Sequence, residues 1–379
     1  MSLSNMREKL DIIDTKLIDL FKERMDIAAE IAEEKKSLGS PVLNVQRERE
    51  ILSKVSEQAG ETLEGYARVL YNTIFDISRS YQVGIIHTDS AIKREIETAI
   101  NNTPPIFPQK AVVACQGIEG AYSQLATEKL FSAPSIMYFQ DYKSVFNAVE
   151  KGLCRYGVLP IENSSHGSVG DVYDLMRHHN CYISKCYKLR ISHKLLARNG
   201  VKLENVREII SHEQAIGQCS EFLNSLKDVK ITVCENTAVA AKLVSESGRD
   251  DIAAISSGDC ARLYGLSVIH DHIQISDNNY TRFICISKNL EIYPGANKIS
   301  LILSLPHRPM ALYNMLARFA SLGLNLTKLE SRPIPGSDFE VMFYFDMEAS
   351  VMNPGVVSLL SELSIQPEMF IFLGNYIEQ

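Results

Sequence analysis

The stretch Leu3–Lys35, LSNMREKLDIIDTKLIDLFKERMDIAAEIAEEK, decides how the first part of the chain folds. Its apolar residues recur in alternating steps of three and four: Leu3, Met6, Leu10, Ile13, Leu17 and Leu20, then Ile27 and Ile31. No Pro or Gly interrupts it before Gly39. That spacing predicts one long helix that needs a facing helix. Arg24 breaks the seam, and Lys35 ends it. A guanidinium on such a seam is costly unless an anion meets it. The segment therefore reads as a helix that holds positive charge for a small polyanion.

Working outward, Gly39-Ser40-Pro41 ends this helix. A second helix is expected from Val45 to Gln58, stopped by Gly60, and a third from Thr62 to Val83, stopped by Gly84. Residues 1–85 thus read as an all-helical domain. Residues 86–109, with Asn101-Asn102-Thr103-Pro104-Pro105 and Pro108, read as a linker. Residues 110–290 alternate apolar runs with helical stretches, an α/β pattern. Strands are expected at 111–114, 156–159, 208–210, 231–233 and 252–255, and helices at 142–151, 170–178, 215–226 and 237–245. Residues 297–379 give the order βαββαβ, a ferredoxin-like α+β arrangement. Its strands are expected at 299–305, 324–331, 339–347 and 368–373, with helices at 310–322 and 355–363.

Composition sets outer limits. A chain of 379 residues has room for two or three domains. The net charge of -7 argues against nucleic-acid binding. No apolar run is long enough for a membrane span, and the polar N-terminus does not resemble a signal peptide, so a cytoplasmic protein is expected. The eight cysteines contain no C-x-x-C pair and read as reduced core thiols. His166, His193 and His212 lack metal-ligand spacing, so surface or capping roles are expected and no metal site.

Helix geometry places the cations. Arg24 and Lys35 are eleven residues apart, so they share a face about 16 Å apart along the axis. Arg7 lies about 25 Å from Arg24 and off that face, so it reaches the same ligand only from a partner chain. In the second helix Arg47 and Glu48 extend the face of Ile51, Leu52 and Val55. In the third, Leu70 and Ile74 continue into Ser78 and Gln82. Polar groups on the apolar faces of all three helices suggest one enclosed pocket.

In the α/β block, polar clusters stand at the ends of strand-like runs, where such folds place ligands. They are Gly117–Ser123, Glu162–Ser168, Ser211–Gln214 with Gln218, Glu235-Asn236-Thr237, and Asn279–Phe283. A Gly-rich turn opening a helix can offer backbone N–H groups to a carboxylate. Thr237 reads as a helix N-cap.

Residues 1–85 resemble the small all-helical chorismate mutase domain, through Met6–Leu10, Glu23-Arg24, Lys35, Arg47-Glu48-Arg49, Ser78-Arg79 and Gln82. The resemblance implies an intertwined dimer and a Claisen rearrangement of chorismate to prephenate, which needs no nucleophile or proton shuttle. It implies that Arg24, Arg47 and Arg7 of the partner subunit hold carboxylates. Lys35 and Gln82 would face the ether oxygen, Glu48 would take the ring hydroxyl, and Ser78 would line the pocket. Asn44 stands where that family usually has Asp.

Residues 111–287 resemble prephenate dehydratase, through Pro160–Ser164, Ser211-His212 with Gln218, and Asn279–Phe283. The implied fold is two α/β lobes around a cleft, like a type II periplasmic binding protein. The implied reaction expels carbon dioxide and the ring hydroxyl of prephenate. Thr281 would donate to the departing hydroxyl. Asn163, Ser211 and Gln218 would orient substrate, Arg282 would contact an anion, and Glu162 and Glu235 match acidic site residues.

Glu330-Ser331-Arg332-Pro333 resembles the signature of ACT domains fused to dehydratases, with Ala311 and Leu312 at the first-helix turn. The resemblance implies an effector site for phenylalanine at Ala311, Leu312, Glu330, Ser331 and Arg332. Met310 stands in place of the usual Gly, and Tyr313 in place of a small aliphatic. The plain alternative is a domain kept for dimerisation.

Taken together, the blocks resemble the bifunctional chorismate mutase/prephenate dehydratase family, with no cofactor, no membrane partner, and a homodimer or larger assembly. The competing reading is a non-catalytic regulator that binds small acids and dimerises through its N-terminal helices. Arg24 and Lys35 count against it, since a plain dimer seam prefers Leu or Ile.

Overall fold

The computed structural model describes residues 3–86, 90–307, 309–334, 341–365 and 369–379. Phe339 and Glu368, with which two expected strands begin, and residues 87–89 of the expected linker lie outside them.

The chain opens with α1 (Leu3–Leu38), α2 (Val45–Ile86) and α3 (Ala91–Asn102). Then come β1 (Val112–Gln116), α4 (Tyr122–Leu130), β2 (Ser135–Phe139), α5 (Tyr142–Glu150), β3 (Tyr156–Asn163) and β4 (Gly167–Ser168). Next are α6 (Gly170–His178), β5 (Tyr182–Arg190), β6 (Lys194–Ala197), β7 (Glu208–Ser211), α7 (Glu213–Gln218) and α8 (Ser220–Ser225). They are followed by β8 (Lys230–Val233), α9 (Thr237–Glu246), β9 (Ile252–Ser256), α10 (Gly258–Leu263), β10 (Ser267–His270) and β11 (Tyr280–Ser287). The last block is β12 (Lys298–Ser304), α11 (Ala311–Ser321), β13 (Asn325–Pro333), β14 (Val341–Glu348), α12 (Pro354–Leu363) and β15 (Phe370–Glu378). Its order is the expected βαββαβ.

Two compact units divide these elements: residues 1–97, 303–343 and 351–370, and residues 98–302, 344–350 and 371–379. In the first, α1 buries little more than Ala28 and Ala32. Its seam leucines and isoleucines stay exposed, Leu10 at 56% and Leu17 at 55%. The two expected helices after α1 run on as α2, broken only at Gly60, whose φ of 69° is readily reached by glycine. Gly84 does not stop α2, which continues to Ile86. Glu362 of α12 bonds Ser80 of α2 and pairs with Arg318 of α11.

The second unit holds two sheets. One runs β14-β12-β15-β5-β11-β3-β1-β2, with β4 on β3, and the other β10-β6-β9-β7-β8. The pairs β1–β2, β1–β3, β7–β8 and β7–β9 are parallel and joined through helices, as parallel neighbours require. The buried runs Tyr156–Leu159 and Ile252–Ser256 are shielded on both faces, so they read as continuous apolar stretches. The chain passes from one sheet to the other after β5 and returns before β11. Part of the expected linker, residues 91–102, is helix α3, an amphipathic segment whose Ile92, Ile96 and Ala99 are buried one turn apart. The single helix expected at 215–226 is split into α7 and α8 at Cys219. Among the described residues no helix is long and apolar enough to cross a membrane.

Candidate active sites

The first site lies on α1 and α2. Lys35 Nζ donates to the Val42 carbonyl at 2.6 Å and to Gln82 Oε1 at 3.4 Å. Gln82 Nε2 donates to Ser78 Oγ at 3.4 Å, one turn back along α2. Both α2 side chains are buried, because they continue the inward stripe of Phe75. Arg79 ties Glu48 to Asp76. Burial lowers the Lys35 pKa below the ordinary lysine value, and the Glu48 carboxylate opposes that shift. Arg24 lies over the Phe75 ring at 5.9 Å, with Nη1 buried and lacking a hydrogen-bond partner. A buried donor without an acceptor is costly and suits a ligand carboxylate. A cavity of about 690 Å³ opens beside Lys35, walled by Asp76, Arg79, Asn314 and Arg318.

The structure thus joins Lys35, Gln82, Ser78 and Glu48. It does not bring Arg47 to them: that side chain is 67% exposed and paired with Glu50 at 3.2 Å. Asn44 caps α2, its Oδ1 accepting from the Arg47 amide at 3.0 Å. Arg7 is exposed on α1. Ammonium and amide groups side by side in a partly dry site can stabilise charge developing on an oxygen, with no proton moved.

The second site is a cavity of about 180 Å³ between the two sheets, lined by Tyr122, Asn163, His193, Gln218, Glu235 and Thr281 among others. Thr281 of β11 stands opposite Asn163 of β3. Asn163 Nδ2 donates to Thr281 Oγ1 at 2.9 Å and to Asn279 Oδ1 at 2.9 Å. Asn163 Oδ1 accepts from the amides of Ser165 and His166, which fixes the ring-like turn and the amide's orientation. With its oxygen already accepting, the Thr281 hydroxyl proton is left to point at a ligand. Gln218 Oε1 accepts from Asn279 Nδ2 at 2.9 Å and lies 2.8 Å from His193 Nε2, which donates to it when that nitrogen carries a proton. Burial lowers the His193 pKa, and the Gln218 bond only partly offsets it. The N-terminus of α4 supplies Tyr122 and Ser123 to the cavity, and that of α9 supplies Thr237. Ala121 gives α4 no side-chain cap, and helix N-termini favour a carboxylate. Gly120, with φ of 92°, makes the turn before α4, where a Cβ would meet Cys260 Sγ at 2.9 Å.

Several expected site residues lie elsewhere. Arg282 does not reach the cavity as an anion contact. It is buried, paired with Glu162, Asp346 and Glu378 on the other face of β11. Glu162 goes with it, because neighbours on a strand point to opposite faces. Ser211 is fully buried, its hydroxyl donating to the Ile255 carbonyl at 2.8 Å between β7 and β9. The cap of α9 is Asn236, which accepts from the Val239 amide at 2.9 Å, and Thr237 is the first helical residue. His193 is buried in the cavity, not at the surface, whereas His212 caps α7. Tyr122 belongs to the expected Gly117–Ser123 cluster, but residue spacing held no signal for His193, because the fold alone brings the crossover after β5 against α4. Asp76 was missed as well: Arg79, three residues on, joins it to Glu48, which is far away in sequence. Among the described residues no group of His, Cys, Asp and Glu is arranged to hold a metal.

Ala311 and Leu312 line a third cavity of about 280 Å³ with His307, Pro309, Val341 and Phe343. Met310 before α11 adopts φ of 71°, the left-handed region that glycine enters freely. Glu330 pairs with Lys328 on β13 at 3.3 Å.

Comparison with known proteins defines the class. Residues 6–83 match the family model of chorismate mutase type II, and residues 113–291 that of prephenate dehydratase. The chain is 31% identical over 380 residues to the bifunctional chorismate mutase/prephenate dehydratase of Escherichia coli K12, covering 98% of this chain and 95% of that one. It belongs to the bifunctional chorismate mutase/prephenate dehydratase family. It is also 37% identical over 276 residues to arogenate dehydratase/prephenate dehydratase 2 of Arabidopsis thaliana, covering 70% of this chain and 72% of that one. The prephenate dehydratase of Arthrobacter aurescens in complex with L-Phe superposes with a TM-score of 0.64 at 27% identity, over 70% of this chain and 89% of that one.

Proposed function

We propose that this chain catalyses two consecutive reactions: the rearrangement of chorismate to prephenate at the Lys35–Gln82 site, and the decarboxylation and dehydration of prephenate to phenylpyruvate at the Thr281–Asn163 site. The helical domain spans 1–85, the dehydratase domain 110–290, and an ACT domain 297–379. In the first reaction Arg24 and Arg7 of the partner subunit hold the carboxylates. Lys35 and Gln82 stabilise the ether oxygen, Glu48 takes the ring hydroxyl, and Ser78 supports Gln82. Holding a flexible diacid compact removes most of the entropic barrier, and the fixed donors act on charge present only in the transition state.

In the second reaction Thr281 gives its proton to the departing ring hydroxyl as the carbon–carbon bond to the carboxylate breaks. A threonine hydroxyl is a weak acid, and the Asn163 amide bonded to its oxygen stabilises the alkoxide that forms. Gln218, with Asn279 and His193 behind it, orients the substrate. The N-termini of α4 and α9 receive its carboxylates, and Glu235 sits at the rim. Phenylalanine binds the ACT domain at Ala311 and Leu312, near Glu330, Ser331 and Arg332, and lowers dehydratase output. The chain works as a homodimer.

The Asn163–Thr281 hydrogen bond inside a cavity with helix N-termini carries this reading, and near-complete coverage of a bifunctional relative supports it. The test is to follow chorismate loss and phenylpyruvate formation separately, with each substrate supplied alone. Mutase activity without prephenate turnover would break the second half. Because one relative is also named for arogenate, that acid is the second substrate to offer. Turnover of arogenate alone would reassign the site.

A further inference from the structure

Buried charges gather behind β11, outside the two sites. Arg282 is only 7% exposed at its side chain. Its guanidinium faces Glu162 of β3 at 3.3 Å, Asp346 of β14 in direct contact, and Glu378 of β15 at 3.8 Å. Glu378 in turn pairs with Lys298 of β12 and Lys188 of β5, each at 2.7 Å. Ser300 of β12 donates to Asp346 and meets the Tyr376 hydroxyl at 2.7 Å. Three cations, Arg282, Lys188 and Lys298, thus balance three anions, Glu162, Asp346 and Glu378. The cluster is neutral, so it survives burial. Removing any one anion leaves a buried guanidinium to redistribute onto the others.

The place of this cluster in the backbone gives it a function. Thr281 pairs with Asn163 and Arg282 with Glu162, but Phe283 pairs with Pro160. The register slips at that step because Ile161 is an extra residue on β3, a bulge next to the Glu162–Arg282 and Asn163–Thr281 pairs. Bulges re-aim side chains next to active sites. This one is clamped from the far face by strands of the C-terminal block, which contribute no residue to the dehydratase cavity.

We propose that Asp346 and Glu378 are positioning residues of the dehydratase site: they hold the Arg282 guanidinium, and through the Arg282–Glu162 pair beside the β3 bulge at Ile161 they aim Thr281 at the substrate. The C-terminal block is then part of the dehydratase machinery whether or not it carries an effector. The proposal rests on the dehydratase reading of the cavity.

The experiment is Asp346→Asn in the full chain, with mutase and dehydratase rates measured on one preparation. The expected result is a fall in the dehydratase kcat of about 10- to 100-fold, the scale of a small misplacement of a reacting group. KM stays within about twofold, because Gln218 and the helix N-termini are untouched. The mutase rate is unchanged, and Asp346→Glu restores much of the loss. A second variant, Arg282→Met with Asp346→Leu, replaces the pair with apolar groups of similar volume and keeps the core packed. Its kcat stays low although the protein is folded. An unchanged kcat in Asp346→Asn overturns the proposal, as does recovery of kcat in the apolar pair. Parallel loss of both activities in the two variants overturns it too, since that marks general destabilisation. Absence of prephenate turnover in the unaltered chain would instead sink the dehydratase reading and this proposal with it.

Discussion

Asn163 Nδ2 and Thr281 Oγ1 are 2.9 Å apart across the β3–β11 pair, with Thr281 only 9% exposed. The amide nitrogen can only donate, so the hydroxyl proton is free for a ligand. Removing the hydroxyl, Thr281→Ala, is expected to cost the dehydratase about 10²- to 10⁴-fold in kcat, the usual worth of a positioned proton donor. Asn163→Asp turns the donor into an acceptor that captures the Thr281 proton, and the loss should be as large. Both variants keep their mutase rate. Separate assays with chorismate and with prephenate check this; dehydratase turnover unchanged in Thr281→Ala would remove its assigned role.

Lys35 gives the complementary separation. Lys35→Ala and Gln82→Ala are each expected to lower mutase kcat by about 10²- to 10³-fold, as for loss of one donor to a developing oxyanion, while prephenate turnover persists. Lys35 acts only when protonated. Burial holds its pKa below the ordinary lysine value, with Glu48 opposing. The mutase rate should therefore fall on the alkaline side at a pH below the normal lysine range. Glu48→Gln, which removes the opposing charge, should move that limb to lower pH. A pH–rate profile of both forms reads this directly.

His193 ties stability to pH. Its folded pKa is lowered by burial, so below about pH 6.5 the unfolded chain binds a proton that the folded chain resists. Protons favour the unfolded state there, and stability falls as pH drops through that window. Above it, the residue adds no slope. His193→Gln keeps a side-chain amide near Gln218 and removes the titration, so its Tm should decline less steeply between about pH 6.5 and 5. Calorimetric melts of both proteins across that range decide the matter, and equal slopes would assign the effect elsewhere.

The exposed seam of α1 predicts an assembly. Leu10, Leu17 and Ile27 are 56%, 55% and 51% exposed, an apolar stripe too continuous to leave in water. Sedimentation is expected to find a dimer. Leu17→Glu puts a charge on the stripe and should shift the chain to monomer and abolish mutase activity, since Arg7 would no longer reach a partner's pocket. Dehydratase activity should remain. A monomeric variant with full mutase rate would show that each pocket is complete in one chain.

The block order was legible in the residues alone: a 3–4 apolar seam, then alternating buried strands and helices, then βαββαβ. Gly39, Gly60 and the Pro-rich stretch near 104 marked the breaks because φ restriction and freedom are local properties. Lys35, Ser78, Gln82, Asn163, Gln218 and Thr281 could be named because each stands in a short motif. Their roles as neighbours could not be. Lys35 meets Gln82 only when α2 folds back against α1, and His193 enters the cavity only where the chain crosses between sheets. The clearest division falls within two dipeptides, Glu162-Asn163 and Thr281-Arg282. The sequence alone put all four side chains in one group. The pleat of the strands sends Asn163 and Thr281 into the cavity and Glu162 and Arg282 to the far face, where strands of the C-terminal block meet them.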